Sequence, residues 1–232
     1  MSEIRVLVSV PLGKYMNTIP FSNFWEIARR GWPIIDMPPG RTDEQRNVAC
    51  AIAKSSGATH LCLLDVDHKH QPDVVDRLVR HVKDDLGKKV ICGVQYRRCP
   101  PYNPCVYLER EGEFYWLHEI PENELISVQG VSPASILINV DVFEQIPAPW
   151  WKYTYEHADK NKYPGEDTWF SALLRDNNID MYCDTSVTSP HLDNAATITD
   201  ATYRAYCRVE EEMMGSEHEG IVYADVKTRI KV

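Results

Sequence analysis

The sequence lacks the features that mark secreted, membrane-spanning and nucleic-acid-binding proteins. No apolar stretch approaches the roughly 18 residues of a transmembrane helix, and no charged leader precedes an apolar core, so we expect neither a membrane span nor a signal peptide. Basic residues are too few to balance the acidic ones, and the formal net charge is -9. Because a duplex phosphate backbone repels an acidic chain, nucleic acid is a disfavoured partner that the sequence does not exclude.

Cysteines are present, but they do not have the spacing of a metal-binding or redox pair. The seven cysteines include no Cys-x-x-Cys pair, and several lie in apolar runs, where a thiol behaves as a small buried hydrophobic group. We therefore predict reduced, structural thiols and a cytoplasmic protein, in the host cytoplasm if the source is viral. A zinc site from Cys92, Cys99, Cys105 and a histidine is a less favoured alternative, because its spacing is unusual.

The composition and the order of elements predict one α/β domain. The 232 residues are 44% hydrophobic and 25% charged, which suits one globular core. Strand and helix patterns alternate in the first hundred residues, which predicts a Rossmann-like nucleotide-binding half with a central, mostly parallel sheet. We expect this half to cover about residues 1–100, a smaller acceptor-binding and catalytic half about 101–195, and a C-terminal helix and tail about 196–232.

Individual elements follow from hydrophobic periodicity and from turn residues. Thr42 and Gln45 have the spacing of a capping box, and the apolar face of the helix that follows is predicted at Val48, Ala49, Ile52 and Ala53. Further strands are predicted at 4–10, 33–36, 60–64, 89–94, 134–140 and 181–183, a hairpin at 106–109 and 114–117, and helices at 21–30, 166–175 and 199–214.

The first candidate site is Asp65-Val66-Asp67, directly after the predicted strand 60–64. Ligands of open α/β sheets bind outside the carboxyl ends of the strands, and carboxylates at alternate positions leave a strand on the same side. Such a pair can hold a hard divalent cation together with phosphate oxygens. A solvated acidic turn is the alternative. His68 and His70 follow at once, and we interpret them as solvent-facing or loop-ordering residues rather than as ligands.

Two further clusters lie in the second half of the chain. Glu166 and Asp167 follow Gly165 at a predicted helix start, where acidic residues complement the helix dipole but where a carboxylate could also act as a general base. His191 follows the last predicted strand and is a candidate metal ligand, although a lone histidine is more often structural. Tyr153, Tyr155, Trp150 and Trp151 are candidates for stacking on a sugar or a base, or for burial in the core.

Taken in order, these motifs resemble those of GT-A glycosyltransferases, closest to the broad family-2-like group that includes small viral and bacterial enzymes. The resemblance spans roughly residues 4–191. It rests on Pro11, Arg41, Arg46-Asn47, Asp65-Val66-Asp67, Gly130, the run from Gly165 through Glu166, Asp167, Thr168 and Trp169 to Phe170, and His191.

The resemblance implies a function and a set of roles. The chain would move a sugar from a nucleoside-diphosphate sugar, most often a UDP-sugar, to an acceptor hydroxyl with Mn²⁺ or Mg²⁺ as cofactor. Asp65 would contact ribose or a metal-bound water, Asp167 would be the base, and Glu166 would position the acceptor. The predicted metal site as a whole comprises Asp65, Asp67 and His191. The nucleotide-binding set would be Pro11, Arg41, Asn47, Asp65, Val66 and Asp67.

The sequence also departs from the family, and other functions remain open. No Gln-x-x-Arg-Trp motif follows the acidic pair, which argues against a processive polysaccharide synthase. A nucleotidyltransferase would use a similar sheet and similar carboxylates, but Pro11-Leu12-Gly13-Lys14 is a poor version of its glycine-rich loop. A non-catalytic sugar-binding module and a glycosyltransferase that acts on modified nucleic acid bases are further alternatives. The acceptor is a glycan, a small molecule or another hydroxyl compound.

Overall fold

The structure is a computed structural model that describes residues 3–11, 18–110, 113–153, 165–192, 197–214 and 230–231. The strands are β1 (Val6–Val10), β2 (Ile34–Asp36), β3 (His60–Leu64), β4 (Val90–Val94), β5 (Tyr107–Arg110), β6 (Glu113–Trp116), β7 (Leu125–Val128), β8 (Ser135–Asn139), β9 (Met181–Thr188), β10 (His191–Leu192), β11 (Thr197–Ile198) and β12 (Ile230–Lys231). The helices are α1 (Thr18–Ala28), α2 (Thr42–Ser55), α3 (Val74–Asp84), α4 (Val142–Gln145), α5 (Glu166–Asp176) and α6 (Asp200–Met214).

The central sheet has seven strands in the order β2-β1-β3-β8-β4-β9-β7. Strands β2, β1 and β3 pair in parallel, as do β4 and β9. Strand β8 lies between β3 and β4 and is antiparallel to both, and β7 is antiparallel to β9 at the edge. The carboxyl ends of β1, β3, β4 and β9 therefore meet at one edge of the sheet, where ligands of such sheets bind.

Helices cover both faces of this sheet, because its strands are apolar on both sides. Within β3, Leu61 and Leu63 pack into one buried cluster, whereas Cys62 and Leu64 pack into the other. Helices α2 and α5 contribute to the first cluster, and α1 and α3 contribute to the second. A near-continuous hydrophobic strand is the pattern of a sheet that is buried on both faces. The predicted α/β class, with a mostly parallel sheet flanked by helices, is confirmed.

Some local expectations were wrong. The α2 N-cap is Arg41 and no side chain caps the helix, so the predicted capping box is absent. The buried face of α2 includes Arg46, Ala49 and Ala53, whereas Val48 is 42% exposed. Strand β7 and helix α4 were not predicted, and β9 extends five residues beyond the predicted end at residue 183.

Among the described residues, no helix combines the length and the apolar character needed to cross a membrane. The seven cysteines are free thiols, and Cys99 is exposed. The predicted alternative of a cysteine-based zinc site has no counterpart in the described part of the chain, where the one cluster of three candidate ligands contains no cysteine.

Candidate functional site

A short backbone ladder brings the chain after β3 next to the chain after β9. The amide of Lys69 donates to the carbonyl of Pro190 at 2.9 Å, and the amide of Leu192 donates to the carbonyl of Asp67 at 2.8 Å. His68 and His191 form an antiparallel bridge between these bonds. Residues more than 120 positions apart are thus held in register, and this pairing places His191 beside Asp67.

Asp67, His68 and His191 form a compact cluster in which the candidate ligand atoms all lie within 4.8 Å of one another. His68 Nδ1 donates to Asp67 Oδ1 at 2.9 Å, and His191 Nε2 lies 3.5 Å from Asp67 Oδ2. Burial alone would raise the pKa of the Asp67 carboxyl, but hydrogen bonds and charges from His191 and His68 hold that pKa well below its usual range. Asp67 is therefore a carboxylate at neutral pH.

Each histidine of this cluster turns one ring nitrogen toward the cluster or leaves it without a hydrogen-bond partner. His191 Nδ1 contacts the carbonyl oxygen of Tyr96 at 2.7 Å, so Nε2 is the ring nitrogen that faces Asp67. Such a carbonyl contact sets the tautomer of a metal-binding histidine. His68 is 2% exposed, and its Nε2 has no hydrogen-bond partner. One carboxylate and two imidazoles are a donor set that suits a divalent cation.

Asp65 takes part in a different contact. Arg46 on α2 donates from one guanidinium nitrogen to both Asp65 oxygens, at 2.9 and 3.0 Å, and from another to Glu166 at the start of α5. Burial alone would lower the pKa of Arg46, but the charges of Asp65 and Glu166 hold it above its ordinary value. This cation joins the end of β3 to the start of α5, and so the first two acidic clusters lie at one edge of the sheet.

Asp167 follows Glu166, and the pKa of its carboxyl group is raised. Burial, and next the charge of Glu166, raise the pKa of Asp167 from 3.8 to about 6. Its Oδ1 accepts from the amide of Thr168 at 2.8 Å. A Cβ atom at Gly165 would lie 2.3 Å from that oxygen, so a glycine leaves the carboxylate room in this position. A carboxyl group that titrates near pH 6 is suited to proton transfer.

A small pocket opens between the ends of β1 and β3 and the first turns of α2. It is lined by Ser9, Pro11, Met37, Gln45, Arg46, Leu63 and Asp65. Pro11 and Asp65 from the predicted nucleotide-binding set therefore line this pocket. Val66 instead packs against the buried cluster between the sheet and helices α1 and α3.

Arg41 and Asn47, two further members of that set, make contacts within the protein. Arg41 pairs with Asp43 at 2.8 Å, and its side chain is 53% exposed. The Asn47 side-chain amide forms hydrogen bonds with backbone atoms. Its Oδ1 accepts from Trp150 N at 3.0 Å and Trp151 N at 3.3 Å, and its Nδ2 donates to Trp151 O at 2.7 Å. Asn47 thus connects α2 to the 150–151 segment.

The aromatic candidates differ in how deeply they are buried. Trp151 is 1% exposed and stacks on Phe170 with ring centroids 4.0 Å apart, so it belongs to the core. Trp150 is partly buried against Phe143 at 5.2 Å. Tyr153 remains partly exposed near Glu166, where burial and the Glu166 hydrogen bond raise the pKa of its hydroxyl. Tyr155 lies outside the described residues.

The solvent-facing interpretation of His68 and His70 was wrong, and the sequence analysis gave no site role to two arginines, Arg46 and Arg98. The histidines are buried, not solvent-facing, and His70 is neutral because burial lowers its pKa to about 4. His70 Nε2 donates to the Asp65 carbonyl at 2.8 Å, so it orders the loop, as the other half of that interpretation held. Arg46 had a visible signal, a charged residue at helical spacing from Ala49 and Ala53. Arg98, which pairs with Asp67, had none beyond its charge.

Comparisons with known proteins support the fold. A197 from STIV has a TM-score of 0.64 and 19% identity, with 86% of this chain and 92% of that chain covered. CMP:2-keto-3-deoxy-manno-octonic acid synthetase complexed with CTP has a TM-score of 0.46 and 12% identity, with 92% of this chain and 98% of that chain covered. Apo UDP-glucose pyrophosphorylase has a TM-score of 0.48 and 7% identity, with 92% of this chain and 100% of that chain covered. The first likeness supports the α/β architecture and no more, and the other two are too distant to carry an argument. No protein-family model and no curated protein matches the sequence.

Proposed function

We propose that this protein is a metal-dependent glycosyltransferase of the GT-A type, which moves a sugar from a nucleoside-diphosphate sugar, with UDP-sugars favoured, to an acceptor hydroxyl. The observation that carries the proposal is the cluster of Asp67, His68 and His191 at the carboxyl edge of the parallel strands. It lies at the edge of the sheet that also holds the Asp65 pocket and the proton-accepting group Asp167. A donor site, a cation site and a base are the parts that such a transfer needs.

The donor set favours Mn²⁺ over Mg²⁺. Mg²⁺ prefers oxygen ligands, whereas two imidazoles next to one carboxylate suit a softer ion. When bound, the cation would neutralise the charge that develops on the diphosphate leaving group. Asp67 and His191 would hold it, and His68 would either add a ligand or keep Asp67 in place through its hydrogen bond. Asp65, bound to Arg46 at the neighbouring pocket, would contact the ribose of the donor or a metal-bound water.

The protein's own groups would then carry out the transfer. The acceptor oxygen attacks the anomeric carbon, the bond from that carbon to the diphosphate oxygen breaks, and the diphosphate leaves with the electron pair. Asp167 accepts the hydroxyl proton, which suits a carboxyl whose pKa is near 6. Glu166 is held by Arg46 at the start of α5, and in the proposed mechanism it would position the acceptor from there. This is the course of an inverting enzyme.

A donor screen tests the proposal. The protein is incubated with UDP-, GDP-, CDP- and ADP-sugars, with Mn²⁺ or with a chelator, and release of the nucleoside diphosphate is measured. We expect Mn²⁺-dependent release from one donor class, and we expect Asp67→Ala to abolish it. Asp73→Ala is the matched control, because Asp73 is a partly exposed carboxylate that pairs with Arg77 at the start of α3.

Two outcomes would overturn the proposal. Release of pyrophosphate from a nucleoside triphosphate and a sugar phosphate would identify a nucleotidyltransferase, which would use the same carboxylates. Sugar binding without turnover of any donor, with equal binding by Asp67→Ala, would identify a binding module.

A further inference from the structure

Arg98 lies in a hydrogen-bonded turn next to the cluster of Asp67, His68 and His191. The turn follows β4 and is closed by an antiparallel bridge between Tyr96 and Pro104 and by a hydrogen bond of 3.0 Å from Arg97 N to Asn103 O. The carbonyl of Tyr96 is also the group that orients His191. The backbone that carries Arg98 is therefore positioned by the same contacts that position a candidate ligand.

Arg98 and the candidate cation compete for one atom. The Arg98 guanidinium donates to Asp67 Oδ2, which is the oxygen that faces His191 Nε2 at 3.5 Å. A cation held between Asp67 Oδ2 and His191 would occupy the space next to that oxygen and would repel the guanidinium. A cation on Asp67 Oδ2 and the Arg98 guanidinium carry like charges next to one oxygen, so each weakens the binding of the other there.

Arg98 is also free to move in a way that Arg46 is not. Arg46 is buried, with a side chain 4% exposed, between the carboxylates of Asp65 and Glu166. The Arg98 side chain is 52% exposed, and its recorded ion pair is with Asp67, whose side chain is 40% exposed. An exposed ion pair of this kind contributes little stability and can exchange readily.

We propose that Arg98 is a diphosphate-binding residue that pairs with Asp67 when no ligand is bound and moves to the phosphate oxygens when the cation and the donor bind. The proposal rests on the proposed function and adds a residue to it. The planar guanidinium has a fork of donors that matches phosphate geometry. Without ligands, Arg98 would keep the Asp67 carboxylate charge-balanced. In the filled site, it would add a second positive charge beside the leaving group.

This exchange makes cation and diphosphate binding cooperative. A cation that binds alone must displace Arg98 without giving it a new partner, so its affinity is reduced. A diphosphate that arrives with the cation supplies that partner, and each ligand therefore strengthens the binding of the other by the same factor. Without the guanidinium, the cation should no longer strengthen diphosphate binding through Arg98, and the diphosphate should no longer strengthen cation binding.

The test compares Arg98→Gln with Arg97→Gln. Arg97 carries the same charge in the same turn, but its guanidinium lies 5.8 Å from the centroid of the Trp116 ring rather than at Asp67. Mn²⁺ affinity without nucleotide is measured from the free-ion electron paramagnetic resonance signal, and UDP affinity at saturating Mn²⁺ is measured by calorimetry. Inorganic pyrophosphate serves as a second probe, because it carries a diphosphate without a base or a sugar.

We expect Arg98→Gln to bind Mn²⁺ alone about 3-fold more tightly, since the loss of an exposed ion pair releases the carboxylate. We expect the same variant to bind UDP and pyrophosphate at saturating Mn²⁺ about 10-fold more weakly, the scale of a hydrogen bond to a charged group. Arg97→Gln should match the wild type in both measurements.

Two failures can be told apart. If the wild type binds UDP and pyrophosphate in a Mn²⁺-dependent way and Arg98→Gln behaves like Arg97→Gln, the role of Arg98 is refuted while the proposed function stands. If the wild type shows no Mn²⁺-dependent binding of either probe, the proposed function and the role of Arg98 fall together.

Discussion

At the residue scale, the raised pKa of Asp167 makes a prediction about rate. A general base acts in its deprotonated form, so turnover should rise with pH through about 6 and level off above it. Asp167→Asn keeps the shape and removes the basicity, and we expect it to lower turnover by about 10²-fold or more, with donor affinity largely unchanged. The measurement is kcat and donor affinity from pH 5 to pH 8. Near-normal turnover in Asp167→Asn would place the base elsewhere.

The same substitution, which lowers turnover, should raise the stability of the fold at high pH. The native pKa of Asp167 lies above its ordinary value of 3.8, so the folded protein binds this proton more tightly than the unfolded chain does. The free energy of unfolding therefore falls as pH rises from about 4 to about 6, and the ionised group destabilises the fold above that range. Asp167→Asn should be more stable than the wild type at pH 8, by at most about 3 kcal/mol.

Urea unfolding of both proteins at pH 8 and at pH 3.5 measures this difference, which should vanish at the lower pH. A variant less stable than the wild type at pH 8 would contradict the raised pKa. A purely structural Asp167 would show the stability gain without the loss of turnover, so the two measurements together separate the roles.

The sequence predicted which residues belong to this site better than it predicted which of them contact one another. The acidic pairs and His191 were identified as candidates because their chemistry is local. The sequence alone could not show that Arg46 would join Asp65 to Glu166, because that contact spans 120 positions and depends on how α2 and α5 face the sheet. The burial of His68 likewise results from the ladder with residues 190–192.

At the element scale, the Asn47 side chain is one of several that connect helix α2 to the segment after α4, together with Asp43 and Cys50. The Asn47 amide makes hydrogen bonds with the backbone of Trp150 and Trp151 and donates to Asp43 O at 2.8 Å. Asn47→Ala should leave these backbone groups without partners and lower the free energy of unfolding by about 2–3 kcal/mol. It should leave UDP affinity nearly unchanged at temperatures where the variant is folded.

Asn177→Ala is the matched control, because Asn177 is exposed and its side chain donates one hydrogen bond to the Leu173 carbonyl. Its effect should stay within about 0.5 kcal/mol. Urea unfolding compares the two variants. Equal stability would refute the connecting role of Asn47, and a selective loss of UDP affinity in Asn47→Ala would favour the predicted nucleotide contact.

Element boundaries followed the sequence most closely where the chain is strongly apolar. Strand β3 was predicted at its observed bounds, since five apolar or buried residues end at a charged one. The orientation of α2 was less predictable, because Arg46 occupies the buried face and leaves Val48 exposed. A charged residue in a core position hides the helical pattern, and only the partners in α5 and β3 explain its presence.

At the scale of the whole molecule, ligand binding should stabilise the fold. A ligand that binds only the folded state raises the free energy of unfolding, by about 2.7 kcal/mol at 100 times its Kd. We expect Mn²⁺ together with UDP to raise Tm, and we expect a chelator to reverse the change. Asp67→Ala should show no such increase, while Asp73→Ala should behave like the wild type. A rise in Tm that survives the chelator would mean that the nucleotide binds without the cation.

The fold class was predictable because alternating strands and helices restrict an α/β chain to few arrangements. The order of the strands was not, since nothing in the pattern of β8 distinguishes an antiparallel insertion from a parallel addition at the edge. The predicted division near residue 100 remains a prediction, because the described sheet contains strands from both sides of that position.

The place of β8 has a consequence for synthesis on the ribosome. Strands β3 and β4 emerge first, yet each pairs with β8 in the finished sheet. Until residue 139 has left the exit tunnel, the strand that separates them is missing, and each of the two keeps an open row of amide and carbonyl groups. The nascent chain must therefore protect these two unpaired edges while about 45 further codons are translated, at about 5–20 residues per second. The other edge of β4 stays open for longer, because its partner β9 ends only at Thr188.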